Sequence, residues 1–315
     1  HCAALTSQLF FEVSGWRNNY AAKQSRVHPK PTVWNWQQID DFITFSKKHN
    51  LQVRLHGPIS PQASKWVKED HRTIEELETN MIEFTTAFAK KFNKEPTVKW
   101  MDVVNETILP NGKWFGPKKG TNKWENPWLK IGLDDNGCPL YILKAFEIAT
   151  KYATNIKLVY NHNAGMESFM WDKVKETILY IRSKGYRVDG IGWQAHIGLS
   201  ASNKAILENT DEELRELSDL IDWAHKNNLE FHITELDYFV KDNNKLSEEY
   251  QKQAEIYAKI VNILREKIKS GVVTLNFWDM AVRTKKGKEG AFHSIYDSDF
   301  KPTPAYKAIN LLSKN

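Results

Sequence analysis

The sequence predicts an α/β chain of the (β/α)8 TIM-barrel class. Three observations predict it. Short β-branched runs alternate with longer amphipathic stretches, most of those runs lack the polar alternation of a half-exposed sheet, and 315 residues suit one such barrel. Residues 1–315 are therefore read as one domain, with no repeat, low-complexity tract or linker.

Seven strands are expected, over 9–13, 51–55, 98–104, 156–160, 188–195, 229–236 and 272–278. A closed barrel needs eight, so the first lies upstream of His1 or one weak strand has escaped the reading. Between the strands, helices announce themselves by caps and by three- and four-residue spacing. Thr73 and Glu76 form a capping box ahead of Ile74, Leu77, Met81, Phe84 and Phe88, and Lys90 and Lys91 complement the dipole at the far end. Thr210 and Glu213 repeat the box pattern before Leu214, Leu217 and Ile221. Ser247 is placed to cap a helix reaching Ile268 and ended by Gly271, and Gly185 to stop one that begins near Ser168.

Composition excludes several classes of function. No apolar run reaches the roughly 18 residues of a membrane span. The excess of 44 basic over 39 acidic residues is small and interspersed, which gives nucleic acid no stripe to follow. Cys2 and Cys138 alone make neither a disulfide framework nor a four-ligand zinc site, and His49, His225 and His232 lack metal-ligand spacing, so no metal and no cofactor is expected. The twelve Trp are the unusual count, since this side chain serves cores by default and also stacks on sugar faces.

Two strand candidates end in glutamate, at Glu106 in MDVVNE and at Glu235 in FHITELD. Strand-end acids are common in any barrel. Two of them at the C-terminal rim converge on one pocket, and a carboxylate pair is the equipment of glycoside hydrolysis, one group protonated to donate and one ionised to attack or to activate water. Asn105 supplies an amide beside Glu106; Gln194 and His196 end another strand, His56 a third and Trp278 the last. The irregular stretch 107–137, rich in Trp, Gly, Asn and Lys, follows Glu106 and is long enough to be a functional loop. Asn105-Glu106-Thr107 also fits the glycosylation acceptor pattern, an accidental match if Asn105 belongs to a site. Lys285, Lys286 and Lys288 read as a solvated run, or as a contact to an acidic or sulfated substrate.

These residues resemble glycoside hydrolase family 10, whose best-known members are retaining endo-β-1,4-xylanases. The resemblance spans most of the chain and is carried by VVNE at 103–106, NPWLK at 126–130, KAFEIATKYA at 144–153, LVYN at 158–161, DGIGWQAH at 189–196, ITELD at 233–237 and KPTPAYKAI at 301–309. It implies Glu106 as acid/base, Glu235 as nucleophile, His196 and Asp237 as groups that orient the nucleophile, and Lys23, His56, Asn105, Gln194 and Trp278 as contacts to the sugar before the scissile bond.

The chain departs from the family in its recognition surface. Asn19-Tyr20-Ala21-Ala22-Lys23 stands where Glu-Asn-Glu-Met-Lys is usual, no Trp-His pair follows His56 closely, Asn161-His162-Asn163 lacks a nearby Tyr, and Val282 and Arg283 occupy the region of a second Trp after Trp278. Retaining cleavage of internal β-1,4-xylosidic linkages in xylan is expected. The alternatives are the same chemistry on a mixed-linkage or decorated β-glycan, and a barrel that binds carbohydrate without cleaving it. A polysaccharide or oligosaccharide substrate, a monomer, and secretion or display at the cell surface or periplasm accompany the expected activity.

Overall fold

The structure is a computed structural model that describes residues 20–284 and 289–313. The strand expected at 9–13 and the lysines at 285, 286 and 288 lie outside the described residues. Two compact units are present, one running to His162 and including Ser168–Gly190, the other comprising Asn163–Glu167 and the chain from Ile191 onward.

In the first unit, helices α1 (Gln24–Val27) and α2 (Gln37–Lys48) precede β1 (Val53–Leu55), followed by α3 (Ile74–Phe92), β2 (Val98–Asn105), α4 (Leu140–Tyr152), β3 (Lys157–His162) and α5 (Ser168–Ser183). The three strands are parallel, with Leu55 opposite Met101 and Asn105 opposite Asn161. Parallel strands are covered on both faces, and β3 accordingly buries every residue after Lys157. Helix α3 opens on the expected capping box, Thr73 accepting from the Glu76 amide and Glu76 from that of Thr73. Phe84, Phe88 and Phe92 pack along one face as tilted pairs with centroids 5.3 and 4.7 Å apart, each buried side chain contributing about 1.5–3 kcal/mol. Ile74, expected on this stripe, is exposed, because it is the first residue beyond the cap and faces away from the packed turn. Gly185 ends α5 in the left-handed conformation at φ +83°, as expected.

The second unit holds most of β4 (Gly190–Trp193), then β5 (His196–Ile197), α6 (Ala201–Glu208), α7 (Thr210–Lys226), β6 (Glu230–Val240), α8 (Leu246–Lys267), β7 (Val273–Phe277), β8 (Arg283–Thr284), β9 (Ala291–His293) and α9 (Pro304–Ser313). Strand β6 is its spine. The first half pairs parallel with β7, Ile233 opposite Leu275, and the second half pairs antiparallel with β9, Tyr238 opposite His293. Three expectations are corrected here. Thr210 is inside α7 and its hydroxyl donates to the Ile206 carbonyl, while Glu213 accepts from the Met166 amide, so neither caps; Asn209 is the cap residue. Ser247 lies within α8, whose cap position is Lys245. Strand β6 does not end at Glu235 but runs to Val240, because new partners replace β7 beyond Leu236. No helix among the described residues is long and apolar enough to cross a membrane.

Candidate active site

The expected site residues fall into two clusters, one in each unit. In the first unit they gather at the C-terminal edge of the parallel strands. His56 follows β1, and its Nδ1 lies 3.0 Å from Asp102 Oδ2, with Arg54 Nε 3.3 Å from Asp102 Oδ1. Asp102 is wholly buried in β2, where a carboxyl group left alone would be costly. Asn105 closes β2. Its side-chain oxygen accepts from Asn161 Nδ2 at 2.9 Å, and its own Nδ2 donates to Glu106 Oε1 at 3.2 Å.

Glu106 sits just beyond the strand at φ +55°, a conformation costing a non-glycine residue about 1–3 kcal/mol and sustained only where neighbours impose it. Its amide donates to the Asn161 carbonyl at 3.2 Å. The next residues are fixed as well, the Thr107 hydroxyl bonding Tyr160 Oη and the Ile108 amide donating to His162 Nε2 at 3.0 Å. The carboxyl is thus presented from a rigid corner, on a residue that is 8% exposed as a whole. The 107–137 segment is held as a built loop: Phe115 returns to Thr107, Gly120 donates to Asp70, and the turn Pro127–Ile131 buries Trp128, whose Nε1 donates to the Ser60 carbonyl. Lys23 is also buried, and Gly57 passes so close that a Cβ there would stand 2.7 Å from Lys23 Nζ and 3.3 Å from Asn105 Cβ. The structure therefore brings Lys23, His56, Asn105 and Glu106 together.

In the second unit, Glu235 and Asp237 share one face of β6, two residues apart. His196 opens β5, in register with Asp237, and lies between both acids: Nδ1 is 2.8 Å from Asp237 Oδ1 and Nε2 3.2 Å from Glu235 Oε2. Burial by itself would lower the imidazole pKa; Asp237 first, then Glu235, outweigh it and raise it to about 10. At that value His196 is an imidazolium at neutral pH, with one ring N–H facing each acid. Trp278, directly after β7, sets its ring edge-on to His196 at 5.9 Å, and Gln194 is buried in the step from β4 to β5. This unit brings Gln194, His196, Glu235, Asp237 and Trp278 together.

Sequence reasoning missed Arg54, Asp102 and the bonding role of Asn161. A lone acid inside the apolar run of β2 was the available signal, since an acid there must be paired. Among the described residues no group of three or more His, Cys, Asp and Glu could hold a metal ion.

A sequence model described as Glycosyl hydrolase family 10 matches residues 16–311. The endo-1,4-beta-xylanase A of Thermoanaerobacterium saccharolyticum is 25% identical over 306 residues, covering 92% of this chain and 24% of that protein. The exoglucanase XynX of Acetivibrio thermocellus is 25% identical over 306 residues, with 92% and 25% covered. This chain thus spans about a quarter of the length of these two relatives. The crystal structure of native xylanase 10B from Thermotoga maritima superposes with a TM-score of 0.76 at 25% identity, over 94% of this chain and 85% of that one. The fold class is accordingly the (β/α)8 barrel that the strand and helix alternation predicts.

Proposed function

Because this chain belongs to glycosyl hydrolase family 10, we propose that residues 1–315 form one catalytic domain that cleaves internal β-1,4-xylosidic linkages of xylan with retention of configuration. The observation that carries the reading is the contact between Glu235 and His196. The buried Glu235 Oε2 lies 3.2 Å from His196 Nε2, so the acid faces a donor that fixes its orientation, as a nucleophile requires. Glu106, presented from a rigid corner with Asn105 on one oxygen, serves as the acid/base.

In the first step Glu106 gives its proton to the departing glycosidic oxygen while Glu235 attacks the anomeric carbon. In the second, Glu106 takes a proton from water, and the resulting hydroxide releases the sugar from Glu235. The two steps balance without metal or cofactor. Retention calls for carboxyl groups about 5–5.5 Å apart, whereas inversion leaves about 6.5–9.5 Å for a water. Gln194, Trp278, His56, Asn105 and Lys23 supply contacts to the sugar before the scissile bond. A polymeric substrate implies action outside the cell or in the periplasm, and the protein acts as a monomer.

The replaced recognition residues favour a second reading for the substrate alone. Ala21 and Ala22 are small and buried where the family carries an acid and an apolar side chain, so the machinery is kept while the sugar contacts differ. Such a change alters which glycan is accepted more than what is done to it. Product analysis on β-1,4-xylan, mixed β-1,3/1,4-xylan and decorated xylans separates the readings. Glu235→Ala should abolish turnover of every substrate, whereas Glu106→Ala should spare aryl glycosides with good leaving groups. Turnover surviving in Glu235→Ala refutes the assignment of the nucleophile.

A further inference from the structure

Arg283 opens β8 and reaches two acids. Its Nε is paired with Asp279, and its Nη2 donates to Asp237 Oδ2 at 3.4 Å. The guanidinium lies over the Phe292 ring, its Cζ 4.1 Å from the centroid. Asp237 offers its other oxygen to His196, which in turn meets Glu235. Four side chains therefore stand in series: Arg283, Asp237, His196 and Glu235.

We infer that Arg283 is the anchoring end of this series, a positioning residue that fixes Asp237 and through it the orientation of Glu235. The inference rests on Glu235 being the nucleophile. Its backbone support is specific. Arg283 pairs with Phe292, and Phe292 pairs with Phe239 two residues beyond Asp237, so the β8–β9 hairpin is stitched to the strand that carries both acids. Asp237 is wholly buried, and without Arg283 its Oδ2 would lose a charged donor, leaving the carboxylate free to rotate about its partner on the other side. The planar guanidinium bonds two acids in different directions from one fixed plane, which a lysine ammonium cannot do.

The same geometry argues against Arg283 as a receptor for an anionic substituent of the substrate. Two carboxylates already engage it, and the immediate cluster holds three acids, Asp237, Asp279 and Glu235, against two cations, Arg283 and His196. From α8 the group also feels the Tyr257 phenol, whose ionisation burial and then the Asp237 charge oppose.

The test uses the whole chain and a 2-deoxy-2-fluoro xylobioside with an activated leaving group, which labels the nucleophile and reports the rate of the first step. Arg283→Met should slow labelling and turnover about tenfold or more, with KM within about twofold, and move the acid limb of kcat/KM upward by about one pH unit. Arg283→Lys should fall between it and the wild type. Asp279→Asn removes a competing negative charge and should move the acid limb the other way, a response that loosened packing would not give. Wild-type labelling rate and acid limb in Arg283→Met overturn the inference. Should that variant fail to fold, an unmoved acid limb in both Arg283→Lys and Asp279→Asn overturns it equally. A label found on a residue other than Glu235 overturns the nucleophile reading instead, so the two failures are told apart by mass spectrometry.

Discussion

Replacing Asp237 with Asn tests the electrostatics of the site without requiring a substrate. Asn keeps an oxygen for His196 Nδ1 and removes the charge that does most to raise the imidazole pKa to about 10. The sign follows from linkage. A folded-state pKa above the ordinary 6.5 means that the bound proton adds stability fully present below about pH 6.5 and lost as the pH climbs through about 10. At about 1.36 kcal/mol per pH unit the whole contribution is on the order of 5 kcal/mol. The side chain is 13% exposed, so solvent screens little of it. In the variant burial dominates, Glu235 alone opposes it, and the imidazole is neutral well before pH 10. Denaturant unfolding of both proteins from pH 6 to pH 10 is the assay, with 15N-labelled histidine NMR reporting the midpoint directly. Wild-type stability should decline across that window more steeply than that of Asp237→Asn, so the difference between them should narrow as pH rises. Parallel curves, or a wild-type His196 midpoint near 6.5, would refute the reasoning.

Two further substitutions probe the scaffold. Thr73→Ala breaks one arm of the capping box on α3 and should cost about 1 kcal/mol in unfolding experiments with no change in KM; an effect on KM alone would contradict a purely helical role. Gly57→Ala places a methyl 2.7 Å from Lys23 Nζ at a backbone φ of +55°, so the ammonium or Asn105 must move. Steady-state kinetics should show KM raised several-fold along with a stability cost of about 1–3 kcal/mol, and an unchanged KM would detach Lys23 from the sugar contacts.

Most of the architecture was legible because burial and period coincide. Strands β1 to β4, β6 and β7 each contain an apolar core that survives translation into the structure, with ends displaced by a few residues. The failures are instructive. The same Thr-x-x-Glu string caps α3 at Thr73 and caps nothing at Thr210, because α6 runs almost directly into α7 and leaves Thr210 within reach of the Ile206 carbonyl. A local pattern cannot announce that its donor is already engaged from the preceding helix. Strand β6 was expected to end near Glu235 for a related reason, since its continuation to Val240 depends on β9, which is far away in sequence and only three residues long.

The two clusters, read separately, obey one construction. In the first unit a buried aspartate, Asp102, receives His56 Nδ1 on one oxygen and lies beside Arg54 on the other; in the second, Asp237 does the same with His196 and Arg283. Each aspartate would be costly to bury alone, and each has one histidine and one arginine beside it. Committing Nδ1 to the acid leaves Nε2 as the outward-facing nitrogen, which in the second unit meets Glu235. The histidines were legible because they stand at strand ends. Asp237 was legible too, through the ITELD string, whereas Arg54 and Asp102 were not, because they sit inside strands whose apolar neighbours hide them, and Arg283 reads in sequence only as the absence of a tryptophan. What a charged residue does inside a strand is decided by which neighbouring strand supplies its partner, and that is information the register holds and the string does not.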